Sequence, residues 1–405
     1  MNSGDIAWML CASAMVLFMT PGLAIFYGGL VRSKNVLGTM MHSFIIMGVV
    51  SIMWVLYGYT MAFGPDMGGG LLGGAKYLGL AGVGADIGPY SDTIPHILFC
   101  AFQLMFAVIT PALITGAFAE RMKFSAFLIF TILWTTLVYF PVCHWVWGEG
   151  GWLRELGALD FAGGTVIHIN SGIAALVCAL FLGKRKGYGT EQMHPHNLPL
   201  TILGAGILWF GWFGFNAGSA LAANGTASMA LFVTQVAAGT GAVFWVIAEW
   251  IYQGKPTTLG AASGAVAGLV AITPAAGFVG PVASIMIGGV AGVLCYGAVV
   301  MKSRLGYDDA LDVVGIHGVG GLWGALATGL FACEAFGGVN GLFYGNPKQF
   351  AIQAIGAVAA IAYSLILTAI ILKVVDGVVG LRIDEEDEHQ GLDLSQHSEV
   401  GYRIV

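Results

Sequence analysis

The segment GGTVIHINSGIAALVCALFLG, residues 163–183, is long and apolar enough to cross a membrane as a helix, yet it carries His168 near its start. A spanning helix needs roughly 20 mostly apolar residues. Ten further stretches read the same way, placing spans near 6–31, 41–63, 95–119, 124–147, 163–183, 198–221, 228–252, 258–274, 281–301, 313–335 and 350–376. The whole chain agrees. Of its 405 residues 57% are hydrophobic and 9% charged, and mean hydropathy is +0.83, outside the range of soluble globular domains. The runs are continuous rather than alternating, which argues against a barrel of strands. The expected fold is an all-α polytopic membrane protein with eleven transmembrane helices.

The charges orient it. If the first short loop, RSKN at 32–35, is cytoplasmic, so is every alternate loop. Only Lys76, Arg154 and Lys348 then fall outside, while the other thirteen of the sixteen Lys and Arg, Arg403 in the tail included, fall inside. Basic residues favour the cytoplasmic side, so the N-terminus is expected outside and the C-terminus inside. The first span is too long for the apolar core of a cleaved leader and has no basic residues ahead of it. The six cysteines are scattered without metal spacing and read as small buried hydrophobes. The abundant glycines, in pairs such as Gly264/Gly268, Gly288/Gly292 and Gly320/Gly324, read as close helix contacts. Residues 1–376 form the membrane domain. Residues 377–405, RIDEEDEHQGLDLSQHSEVGYRIV at their polar end, read as an exposed, partly disordered cytoplasmic tail.

A second imidazole, His317, sits in the run DVVGIHGVGG, residues 312–321. Of the nine histidines only these two read as lying well inside spans, the fifth and the tenth. Two halves of five spans would be related by inversion, because five is odd, and inverted repeats meet near the midplane. A five-plus-five inverted repeat followed by a final helix is therefore expected, with His168 and His317 facing each other. The sequence echo is weak: Asp160 precedes His168 and Asp312 precedes His317, at different offsets. Intramembrane ionisable groups are costly and mark pathways. Two histidines with no Asp, Glu or Cys at matching depth make a poor metal site. A pair of rings can instead share a proton and line a pore without fixed charge.

Aromatic residues supply the other half of the site. Phe102 and Phe106 lie one turn apart in FQLMFAVITP (102–111), Trp212 and Phe215 precede Ser219 in WFGWFGFNAGS (209–219), and Trp147 ends the fourth span. Phe106, Trp147 and Ser219 all fall in the outer half, where aromatic faces attract cations at about 0.5–2 kcal/mol each. An interfacial aromatic belt explains Trp147 equally well and the deeper Phe215 less well. Asp160, in DFAGGT, suits a helix N-terminus. Moving a bare cation into an apolar interior costs tens of kcal/mol, more than a few aromatic contacts offset. Binding the cation at the mouth, removing a proton and passing the neutral amine is the cheaper route.

These residues resemble a known family, the ammonium transporters (Amt/Mep), within the wider group that includes the Rhesus glycoproteins. The likeness is carried by DFAGGTVIHINSGIAALVCALFLGKRKG, GAFAERMKF, GWFGFNAGSA, DVVGIHGVGG and GLDLSQHSEVGY, and runs across essentially the whole chain. It implies a homotrimer in the inner (plasma) membrane with one narrow pore per subunit. Ammonium would be recruited at Trp147, Phe106 and Ser219 with support from Asp160. A stacked phenyl gate at Phe106 and Phe215 would lead to twin pore histidines, His168 and His317, with Phe102 and Trp212 in the pore vestibule. It further implies net charge movement and docking of a PII-type regulatory protein on the cytoplasmic face. The intact aromatic set favours the bacterial or archaeal Amt branch. No cofactor, metal or nucleic acid is called for. An electroneutral ammonia or CO2 gas channel and an ammonium sensor are the competing readings. An enzyme finds no acid/base pair, nucleophile or metal cluster to work with.

Overall fold

The computed structural model describes residues 1–402; Arg403, counted above with the tail, lies outside the described residues. Helix α1 is Ser3–Leu30. Helix α2 opens as Val36–Met53 and passes through a π-helical turn, Trp54–Gly58, into Tyr59–Phe63. Helix α3 is His96–Ile114, and α4 runs from Phe124–Trp134 through Thr135–Tyr139 to Phe140–Trp147. Helix α5 begins with the π-helical turn Gly164–Ile169 and continues as Asn170–Leu182. Then come α6 Leu198–Gly218, α7 Gly225–Gln253, α8 Thr258–Ile272 and α9 Pro281–Leu305. Helix α10 opens with a second π-helical turn, Val314–Val319, before Gly320–Phe331, and α11 is Pro347–Val379.

Ten of these helices are long and apolar enough to cross a membrane. The exception, α8, has 15 residues and a length of about 22 Å against a hydrocarbon core of about 30 Å. Local sequence sets the ends. Asn2, Asn224, Thr257 and Asn346 accept backbone N–H groups at helix starts, and Gly254 and Gly306 close α7 and α9 in the left-handed region. The stretch 64–94 holds turns and a small hairpin, β1 Ile87–Gly88 with β2 Ser91–Pro95.

Glycine governs the central crossing. A Cβ on Gly172 of α5 would lie 2.2 Å from the Gly318 nitrogen of α10, and one on Gly321 would lie 2.8 Å from the His168 Cβ. The two helices therefore touch backbone to backbone beside the two histidines, as small residues in membrane helices permit.

The tail departs from expectation. Instead of a disordered segment it forms α12 Glu385–Gln390 and α13 Leu392–His397, with Glu388, Leu392 and Asp393 buried. Its polar groups are spent on the protein. Asp393 Oδ1 accepts the Gly38 N–H at the start of α2 (2.7 Å), and Asn35 Oδ1 accepts the Leu392 N–H at the start of α13 (2.8 Å). Glu388 accepts from the Lys186 N–H (2.6 Å) and from Arg382 (2.7 Å). Beneath it lies a buried ion-pair cluster. Burial alone would raise the Glu120 carboxyl, but the Arg185 and Arg32 guanidinium groups hold it below the usual range. Composition suggested solvent; the partners are unsatisfied helix ends and loop cations.

Candidate functional site: a vestibule, an aromatic gate and a histidine pair

The loop after α4 carries Asp160, whose carboxylate is fully engaged. It accepts the N–H groups of Gly163 (2.8 Å), Gly164 (2.7 Å), Thr165 (2.8 Å) and Val166 (3.2 Å). These are the free donors at the start of α5, so Asp160 caps the π-helical turn that bears His168. Its backbone carbonyl accepts the Trp147 indole N–H (2.8 Å). One residue thus sets both the tryptophan above and the histidine below. With four donors on two oxygens, little of its acceptor capacity is left for a solute.

Above the crossing lies a vestibule of about 300 Å³ whose lining includes Phe106, Trp147, Asp160, Ser219, Phe161 and Gln103. The Ser219 hydroxyl donates to the Phe215 carbonyl (2.8 Å), so its oxygen lone pairs are free to accept. Phe106 stands 6.0 Å from Trp147 between ring centres. Its other neighbour is Phe215, at 4.4 Å and 83°. The phenyl pair is therefore edge-to-face rather than stacked, the arrangement that ring quadrupoles favour. Both rings are almost wholly buried and divide the vestibule from what lies beneath.

Beneath is a cavity of about 20 Å³ lined by His168, His317, Phe215 and Trp212, with Tyr27, Asp312 and mainly apolar side chains completing the wall. That is room for about one water-sized molecule. The imidazoles lie 5.2 Å apart between centres and 23° from parallel, with Nδ1 of one 3.1 Å from Nδ1 of the other. One ring donates and the other accepts across that contact, which leaves the acceptor ring's proton on its Nε2. Moving the shared proton reverses the roles. His168 Nε2 has no protein partner, and the ring lies 23° from parallel to Trp212 and 21° from parallel to Phe215.

Two placements differ from the sequence reading. Phe102 lines neither cavity: it sits one turn before Phe106, packs edge-on behind it (4.8 Å, 88°) and abuts Gly218. Trp212 lies below the phenyl pair, three residues before Phe215, and donates its indole N–H to Thr273 (2.8 Å). Nor is burial peculiar to the two central histidines, since His42, His96 and His144 are buried as well. What sets His168 and His317 apart is that they touch each other at the wall of a cavity.

The structure also corrects the echo between the halves. Asp309, not Asp312, matches Asp160: its Oδ2 accepts the Val314 N–H (2.7 Å) at the start of α10, five residues on, as Asp160 accepts that of Thr165. His168 and His317 are 149 positions apart, and the same spacing relates Asp160 to Asp309 and Gly172 to Gly321. Asp312 instead pairs with Lys302. Each of the two matched aspartates lies eight positions before its histidine, a regularity visible in the sequence but masked by three aspartates crowded into DDALD. Gln103 was also missed; a lone amide in an apolar run, three residues before Phe106, was the available signal.

The chain is 55% identical over 406 residues to the ammonium transporter of Bacillus subtilis, covering 100% of this chain and 99% of that protein. It is 47% identical over 402 residues to ammonium transporter Amt1 of Archaeoglobus fulgidus, covering 99% and 100%. Among solved structures it superposes on Saccharomyces cerevisiae Mep2 with a TM-score of 0.89 at 37% identity, covering 95% of this chain and 88% of that one. A sensor Amt protein gives 0.90 at 29% identity, covering 97% and 98%. The Ammonium Transporter Family matches residues 7–402, and the chain belongs to it.

Proposed function

We propose that this protein carries ammonium across a cell membrane by separating the proton from the amine. Ammonium is recruited at Trp147, Phe106 and Ser219, with Asp160 holding the site rather than contacting the ion. It gives up a proton there to vestibule water. Ammonia then passes between Phe106 and Phe215 as the rings swing apart, and along His168 and His317. The proton crosses separately by way of the histidine pair and rejoins ammonia on the inner side, so one charge moves with each ammonium. The observation that carries this is the 3.1 Å Nδ1–Nδ1 contact beneath the edge-on phenyl pair, because it gives a narrow apolar passage a proton-handling pair without fixed charge. A cation at rest in a 20 Å³ cavity would have lost its hydration, and the carboxylate at the cavity wall, Asp312, is already paired with Lys302.

The wider reading follows from the same features. Eleven spans, N-terminus out and C-terminus in, agree with the charge distribution. The repeated spacing of aspartate, histidine and glycine favours a five-plus-five inverted repeat plus a final helix. A homotrimer in the inner (plasma) membrane fits the resemblance. The tail assigned to residues 377–405, docked over its described part to residue 402, suits a regulatory segment on which a PII-type protein acts. The working assignment is a transporter rather than an enzyme, with no cofactor. Likeness to a sensor Amt protein is the observation that favours sensing as a second reading. Transient current from purified protein in liposomes after an ammonium jump separates the two: a transporter gives current, a sensor gives binding without it.

A further inference from the structure

Gln103 lies on α3 three residues before Phe106, on the same helix face. It lines the vestibule and is 8% exposed. Its amide makes no side-chain hydrogen bond among the described residues, and Oε1 is buried without a partner. Buried polar atoms are normally satisfied, and one left bare costs stability that an apolar side chain would not. Its chain neighbours Phe102, Leu104 and Met105 show that the helix tolerates apolar residues here. The other polar groups of the vestibule are taken or are donors. The Asp160 carboxylate already accepts four N–H groups, the Asp160 carbonyl holds Trp147, and Arg154 presents a cation. Among the side-chain acceptors that line the vestibule in the described residues, the lone pairs of Ser219 and the amide oxygen of Gln103 are left.

We infer that Gln103 is a ligand-binding residue of the recruitment site, its amide oxygen accepting a hydrogen bond from the N–H of a bound ammonium ion. Nothing holds the amide, so a half-turn about its terminal torsion turns the oxygen into the vestibule. Ammonium has four donors and no acceptors. Aromatic faces and a single hydroxyl satisfy it incompletely, and an amide oxygen supplies a second directional acceptor without adding a charge that would trap the ion. The inference rests on the recruitment reading above. Wild-type ammonium current tests that reading, and the variants alone test this one.

The experiment measures current against ammonium concentration in proteoliposomes for Gln103→Met and Gln103→Glu, with the melting temperature of each as a folding control. Methionine matches the length and keeps no strong acceptor; glutamate keeps the acceptor. Gln103→Met is expected to raise the half-saturating ammonium concentration about tenfold, the loss of one charge-assisted hydrogen bond, with saturating current little changed. Gln103→Glu is expected to hold half-saturation at or below the wild-type value. Unchanged half-saturation in Gln103→Met, a fall in saturating current alone, or the same upward shift in both variants would each overturn the assignment.

Discussion

Replacing Asp160 by asparagine removes one of the two carboxylate oxygens and puts an NH2 group in its place. Each oxygen accepts two backbone N–H groups at 2.7–3.2 Å, so two buried donors would lose their acceptor and face another donor. Hydrogen bonds to charged groups contribute about 1.5–3 kcal/mol each, which makes the expected loss roughly 3–6 kcal/mol before the new repulsion is counted. The damage is local. It falls on the turn Gly164–Ile169 that positions His168 and on the loop whose carbonyl holds Trp147. Thermal unfolding in detergent should show a clear drop in melting temperature, and liposome current should be lost even where the variant remains folded. If Asp160→Asn melted and conducted like the wild type, the role of Asp160 as the hinge between vestibule and pore would be wrong.

Three further outcomes follow from particular contacts. Gly172→Ala should abolish current and lower stability, because its Cβ would sit 2.2 Å from the Gly318 nitrogen and backbone cannot yield as a side chain can; normal current would refute the tight crossing. Ser398 is exposed and holds a left-handed φ of 55° at the end of α13, so Ser398→Gly should relieve about 1 kcal/mol of strain and slow limited proteolysis of the tail. Faster cleavage would show that the serine is not strained. Arg154 lines the vestibule, so Arg154→Gln should lower the half-saturating ammonium concentration at low ionic strength. That difference should shrink as salt screens the charge, and a salt-independent effect would point to packing instead.

What the sequence disclosed and what it hid have physical reasons. Long apolar runs report spans directly, because the lipid demands them, and the span ends were read to within a few residues at α5, α6 and α9. His168 and His317 stood out because charge is expensive at that depth. Which way a side chain points was less legible. Phe102 and Phe106 share a helix face, yet of the two Phe106 reaches the vestibule, because Phe102 packs behind it against Gly218 of α6. The aspartate that caps α10 could not be chosen among Asp308, Asp309 and Asp312 without knowing where the helix begins. The tail read as solvated because charge there looked unpartnered; its partners, Asn35, Gly38 and Lys186, are distant in sequence and mostly backbone. The Gln103 amide was passed over because single polar residues in apolar helices are common and only the cavity beside it gives it meaning.

The most direct test of the central claim is liposome current after an ammonium jump and after an equal potassium jump, for the wild type and for His168→Ala/His317→Ala. The account predicts wild-type current with ammonium alone, and loss of either the current or its selectivity in a double variant that remains folded. Normal ammonium current with unchanged selectivity in the double variant would contradict it.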